Sequence, residues 1–240
     1  MSKFIQIPQS SARNLFLPLL LLVALVGCND SDSNTITPPP EPMEYSYQIS
    51  VSNLTYAQPL SPITIVLHGD EKLWRVGESA SKALENLAES GDNSELIALD
   101  NIIASTSGES PLLPGNSAML TINTTDTMAT HLSVATMLVN TNDAFSGLTG
   151  LELSTLDVNQ AMSWNINVYD AGTEANSEMA GTIPGPADGG TGFDEIRDDI
   201  DVVTLHSGVV SQHDGLTQSI LTQAHRFDNP AIKLTITRLK

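Results

Sequence analysis

A single cysteine, Cys28, stands in 240 residues, so no disulfide can form within one chain. Any folded part must hold together through its apolar core alone. Basic residues are scarce too: 10 Lys+Arg face 28 Asp+Glu, a formal net charge of −18. That balance repels phosphate and anionic lipid and argues against nucleic acid as a partner. It suits an extracellular protein that meets cations or basic partners, and it also serves solubility. No internal repeat is visible.

Enzyme signatures are missing or incomplete. Ser79-Ala80-Ser81-Lys82 has the S-x-x-K form of penicillin-interacting serine enzymes. That chemistry also needs S-D-N and K-T-G elements, and the chain offers only Ser31-Asp32-Ser33-Asn34 and no K-T-G. Ser79 is instead read as the cap of the helix that follows. Gly77-Glu78-Ser79-Ala80 stops short of G-x-S-x-G because Ser81 replaces the last glycine. The five histidines (His68, His131, His206, His213 and His225) show no H-E-x-x-H or other close ligand spacing. Gly185–Gly192 lacks the lysine and the strand–helix setting of a phosphate loop, and reads as a turn.

The N-terminus carries an address. Lys3 and Arg13 precede an almost unbroken apolar run from Leu15 to Val26, too short to span a bilayer comfortably. Leu25-Val26-Gly27-Cys28 resembles the lipobox of bacterial lipoproteins, in which a small residue precedes the cysteine that is acylated. The expectation is a signal peptide over 1–27 and lipidation of Cys28, which anchors the protein to a membrane outside the cytoplasm. Asn29 stands where an inner-membrane retention signal has Asp, so the outer membrane is the expected destination. Residues 28–43 hold Asp, Ser, Thr and four prolines with little apolar content, the composition of an extended, semi-stiff tether. Removing the two basic residues of 1–27 leaves 8 basic against 28 acidic residues, a charge of −20.

Residues 44–240 read as one all-β domain. Tyr45–Asn53, Pro62–His68, Ser117–Asn123, Met162–Tyr169 and Ala231–Leu239 alternate apolar and polar side chains, the mark of half-buried antiparallel strands. His131–Val139 is apolar on both faces and is expected to be central. Leu151–Leu153 and Asp201–Leu205 are weaker strands. Glu78–Glu89 instead puts Ala80, Ala83, Leu84, Leu87 and Ala88 on one helical stripe, with Gly91 placed to end it. A second short helix is expected near Glu95–Ile103. Strands and turns spaced this way predict a β-sandwich with a short helical insertion covering it.

Two acidic loops follow strong strands: Asn140-Thr141-Asn142-Asp143, and Asp170-Ala171-Gly172-Thr173-Glu174. If Leu151–Leu153 runs back between them, both emerge at one end of the sandwich. Oxygen ligands from two such loops suit Ca²⁺, although Asp, Asn and Gly also make ordinary turns. A third acidic stretch, Asp194 to Asp201, reads as a solvated loop or sheet edge.

At these same loops the chain resembles the spondin domain, the N-terminal module of the animal matrix proteins F-spondin and mindin. Three blocks carry the likeness: Leu73–Ser81 continuing to Leu87–Gly91, Met137–Val139 with Asn142–Gly147, and Val168–Glu174. The resemblance spans roughly 44–240 and implies a C2-like antiparallel β-sandwich with calcium at one end. Carried over by motif, Asp143 and Asp170 are the implied ligands, followed by Glu174, where the animal proteins tend to have Asp, and by Asn142. Ala144 replaces a tryptophan usual beside the aspartate, and Asn140 and Thr141 replace Ser/Pro residues. Structural cysteines and thrombospondin repeats are absent. The resulting expectation is a non-catalytic, calcium-stabilised module with an extracellular protein or glycan partner. Its rivals are an envelope hydrolase and a purely structural envelope lipoprotein without metal.

Overall fold

Alternation in the first strong segment becomes β1 (Tyr45–Asn53), with Tyr47, Ile49 and Val51 buried between two sheets. Successive side chains of a strand leave on opposite faces, so an alternating sequence buries one face only. The computed structural model describes residues 41–240. The expected signal segment, Cys28 and all of the tether before Glu41 lie outside the described residues. Among those described, no helix is long and apolar enough to cross a membrane.

β1 lies antiparallel between β4 (Ser117–Thr124) and β10 (Ile232–Arg238), and β7 (Ala161–Ile166) completes a four-stranded sheet. Its order is β4-β1-β10-β7. The second sheet runs β3 (Ile102–Ser107), β2 (Thr64–His68), β5 (His131–Met137), β6 (Ala144–Glu152), β8 (Val168–Asp170), β9 (Thr204–Leu205), again antiparallel throughout. Ile49, Ile65, Leu67, Leu132, Val134, Leu234 and Ile236 fill the space between the sheets. Each such side chain contributes about 1.5–3 kcal/mol of burial.

β5 is apolar on both faces because both faces are covered. Leu132 and Val134 meet the opposite sheet, and Ala135 lies on the outer face with Val66 and Phe145. Over that outer face lies α1 (Lys82–Ser90), contributing Ala83, Leu84, Leu87 and Ala88. Trp74 packs edge-on against Phe145, ring centroids 5.2 Å apart. The helical segment is thus an added layer on the six-stranded sheet, as its sequence stripe predicts.

Four local expectations are corrected. α1 starts at Lys82, and its cap is Ser81, whose hydroxyl accepts from the Leu84 N–H at 3.2 Å. Ser79 instead donates its hydroxyl to the Asp201 carbonyl at 2.9 Å. Residues 77 and 78 are held out of the helix by backbone bonds to Val203 in both directions. Replacing Ser81 with Ala should therefore cost about 1 kcal/mol in chemical denaturation, and replacing Ser79 less than that.

The other corrections concern strands. The second helix, α2 (Ser94–Ile97), is a single turn, because β3 begins at Ile102, which pairs with His68 of β2. Met162–Tyr169 is not one strand but breaks at Asn167. Ile166 stays beside β10, while Val168 crosses to the other sheet and its N–H donates to Asn229 Oδ1 at 2.8 Å. Leu151 and Glu152 end the long strand β6, whose alternation is interrupted by Gly147 and Gly150, and Leu153 opens a 3-10 turn. Gly147 lies opposite Ala135 of β5, and a Cβ there would fall 2.0 Å from the Val134 carbonyl oxygen.

Candidate cation site

β6 returns directly from β5 and pairs with β8, with Ala144 opposite Asp170. This register brings the Asn140–Asp143 turn and the Asp170–Glu174 turn to the same end of the sandwich, as the sequence argument required. The Ala171 N–H donates to the Asp143 carbonyl at 3.3 Å and ties the two turns together. Gly172 adopts φ +70, and a Cβ there would meet Val202 backbone atoms at 2.5–2.9 Å. Only glycine combines that conformation with so close an approach.

Asp143 is completely buried. Its Oδ2 accepts from the Thr173 N–H at 2.8 Å, the Thr173 hydroxyl at 3.4 Å and the Glu174 N–H at 3.2 Å. Its Oδ1 has no hydrogen-bond partner. Burial, and then the neighbouring charge of Asp170, push the Asp143 carboxyl up to about 7. Asp170 is nearly buried, with Oδ1 accepting from the Gly172 N–H at 2.8 Å and Oδ2 from the Asn176 side chain at 2.6 Å.

Glu174 and Asn142 are brought to the same place. Asn142 donates to Glu174 Oε1 and to the Thr182 hydroxyl, both at 2.9 Å, and its own carbonyl oxygen accepts from the Glu178 N–H at 3.3 Å. Burial raises the Glu174 carboxyl to about 7 against the Asn142 bond that lowers it. Asn142 therefore ties the Glu174 carboxylate to the backbone of Glu178 through its amide.

Two groups in this cluster carry no sequence signal. Glu178 is buried, sits at φ +55, and is pushed up to about 7 by burial. Its Oε1 accepts from the Val210 N–H at 3.2 Å, and its Oε2 has no partner. His206 is buried with its Nε2 3.1 Å from Asn176 Oδ1 and 4.0 Å from Asp170 Oδ2. Nδ1 accepts from the Gly208 N–H, which leaves the proton on Nε2, and burial lowers the ring's pKa. Neither Glu178 nor His206 lies in a recognisable motif; only the chain's return past Asp170 places them.

The only buried side-chain oxygens without a partner among the described residues are therefore Asp143 Oδ1 and Glu178 Oε2. No Lys or Arg pairs with Asp143, Asp170, Glu174 or Glu178 among the described residues. Nor do three His, Cys, Asp or Glu side chains there form a ready metal cage. A cation at this end would be completed by backbone carbonyl or amide oxygens, which hard cations accept. The unpartnered Asp143 oxygen and the buried, unneutralised carboxylates fit that chemistry.

Fold and site together define an antiparallel β-sandwich module with a buried carboxylate end. The chain belongs to the spondin N-terminal domain family, whose model (Spondin_N) matches residues 55–184, more than half of its length. Asp143, Asp170, Glu174 and Glu178 all lie inside the matched residues, whereas β1 and β10 lie outside them. The family is one of extracellular-type modules and is not a known enzyme family. A search of curated proteins finds none that matches.

Proposed function

We propose that this protein is a calcium-stabilised, non-catalytic spondin module, displayed on the outer membrane of a bacterium through lipid on Cys28 and binding an extracellular protein or glycan. The observation that carries the calcium reading is the fully buried Asp143, with one oxygen unpartnered beside a second carboxylate. A buried carboxylate without a counter-charge costs several kcal/mol unless a proton or a cation neutralises it. Asp143 and Asp170 would hold the ion, Glu174 would reach it from the same loop, and Asn142 would orient Glu174. Calcium would supply positive charge and fix the shape of the two turns. Glu178 contributes a further orphaned oxygen at this end.

Calorimetric titration of the purified protein tests the assignment. Calcium should bind, and Asp143→Ala or Asp170→Ala should lose the binding. Undiminished binding in both variants would place the ion elsewhere, and no binding to the unaltered protein would leave a purely structural module. A turnover screen against envelope polymers, with and without calcium, is expected to give nothing.

A further inference from the structure

Opposite the carboxylate turns, at the far ends of β5 and β6, His131 pairs with Glu152, and a pocket of about 320 Å³ opens between the two sheets. Tyr45 and Tyr47 of β1 form its aromatic wall, Asp70 and Asp126 reach it from two loops, and Glu152 from the end of β6. Arg238 is the one permanently charged cation lining it.

That arginine pairs with none of the three carboxylates. Its guanidinium lies over the Tyr45 ring at 5.5 Å and donates to the carbonyls of Lys240 and Leu156 at 2.9 and 3.1 Å. Each carboxylate has one oxygen occupied by a local bond. Asp126 Oδ1 accepts from the Met128 N–H, Glu152 Oε1 from the Ser154 hydroxyl, and Asp70 Oδ1 from the Thr130 hydroxyl at a long 3.4 Å. The second oxygen of each has no protein partner among the described residues and, the three side chains being exposed, faces water; Asp70 Oδ1 also lies 3.7 Å from His131 Nδ1.

Tyr47 supplies an independent sign of a ligand. It is 3% exposed, it lines the pocket, and no hydrogen bond among the described residues satisfies its hydroxyl. The ring is enclosed, while the hydroxyl is not one of the fully buried orphaned oxygens and opens into the pocket, where a ligand can satisfy it. We infer that this pocket binds a primary alkylammonium group, carried by a free di- or polyamine or by a lysine side chain. The carboxylates and the Tyr47 oxygen would accept its N–H bonds, and Tyr45 and Leu153 would cover its methylene stem.

The volume matches a group of that size. Charge sets the sign of the ligand, because three carboxylates outweigh one arginine already committed to carbonyls. The aromatic and aliphatic wall favours an organic cation over a hydrated metal ion, since it offers apolar cover to a methylene stem but no oxygen cage, Arg238 itself lying over the Tyr45 ring. This site is independent of the carboxylate end and stands or falls separately from calcium.

Titration of the purified protein with cadaverine, spermidine and a lysine-containing peptide, followed by NMR or calorimetry, tests the inference. Saturable binding in the millimolar range or tighter is expected. Preference for the amines over the peptide, or the reverse, identifies the source of the ammonium group. Tyr47→Phe, which removes only the hydroxyl, should weaken binding by roughly threefold to tenfold. The Asp126→Asn/Glu152→Gln pair should weaken it by about tenfold or more, while Asp143→Asn at the other end should leave it unchanged. The inference is overturned by equal binding of neutral 1,5-pentanediol and cadaverine, by calcium competing for the same pocket, or by no saturable binding at all.

Discussion

Held free of calcium, the protein is expected to lose thermal stability as pH rises from about 4 to about 7, and calcium is expected to restore it. The carboxyls of Asp143, Glu174 and Glu178 rise from ordinary values of 3.8, 4.5 and 4.5 to about 7 in the folded state. Between those limits the folded chain keeps protons that the unfolded chain has released. Stability then falls with rising pH, because the native state binds the greater number of protons. Below the unfolded values nothing is lost, and above about 7 the whole penalty is present. For Asp143 alone, the shift is worth on the order of a few kcal/mol.

Calcium reverses the sign of the problem, since it needs the deprotonated carboxylates and displaces their protons on binding. Its affinity should climb through pH 7, and each kcal/mol it recovers should raise the melting temperature by roughly 2–4 °C. Scanning calorimetry at a series of pH values, with calcium and with a chelator, gives both curves. Asp143→Asn separates this site from the general repulsion of a chain carrying −18. It removes one of the three raised carboxyls, so it should make the calcium-free curve shallower, with Glu174 and Glu178 keeping the remaining slope, and abolish the calcium response. A flat curve for the unaltered protein from pH 5 to pH 8 would sink the argument.

The parts of this site that the sequence displays are those fixed by local geometry. Asp143 lies in the turn after the apolar strand β5 and Asp170 ends β8, and one antiparallel return, β6, puts those two places together. Gly172 is readable as a tight turn because no other residue adopts its conformation at so close an approach. Glu178 and His206 are not readable, since a long irregular segment after β8 brings them back, and nothing local encodes that path. The break at Asn167 was hidden for a related reason. Its alternation is perfect, and only the partners of Ile166 and Val168, distant in sequence, assign them to different sheets. β6 shows the converse: Gly147 and Gly150 spoil the pattern in a strand that pairing alone defines.

Asp194 to Asp201 carries the second large effect. Six of the eight residues Asp194–Asp201 (DEIRDDID) are acidic or basic, and the segment is the largely exposed loop that this composition suggests. It is also strapped down through its one arginine. Arg197 is 25% exposed and grips Glu85, itself 5% exposed, through Nε to Oε1 at 3.0 Å and Nη2 to Oε2 at 2.6 Å. It also donates to the Ala80 carbonyl at 2.9 Å and pairs with Asp201. The strap lies on the candidate cation loop: Asp198 N–H donates to the Thr173 carbonyl, Asp201 N–H to the Gly172 carbonyl, and Asp198 Oδ1 accepts from the Ala175 N–H.

Arg197→Ala should therefore cost about 3–5 kcal/mol, because it leaves the buried Glu85 carboxylate unpaired. Arg197→Lys should recover little, since an ammonium cannot reproduce the two-pronged grip. Arg197→Met combined with Glu85→Leu should recover most of the loss, because the buried charge goes together with its partner. Urea denaturation reads these stabilities. Hydrogen exchange over 193–201 should accelerate in Arg197→Ala, and calcium affinity should drop with it, since the strap fixes the carbonyls of Gly172 and Thr173. If stability survived Arg197→Ala while exchange stayed slow, the backbone bonds alone would be holding the strap, and the arginine would be a surface charge after all.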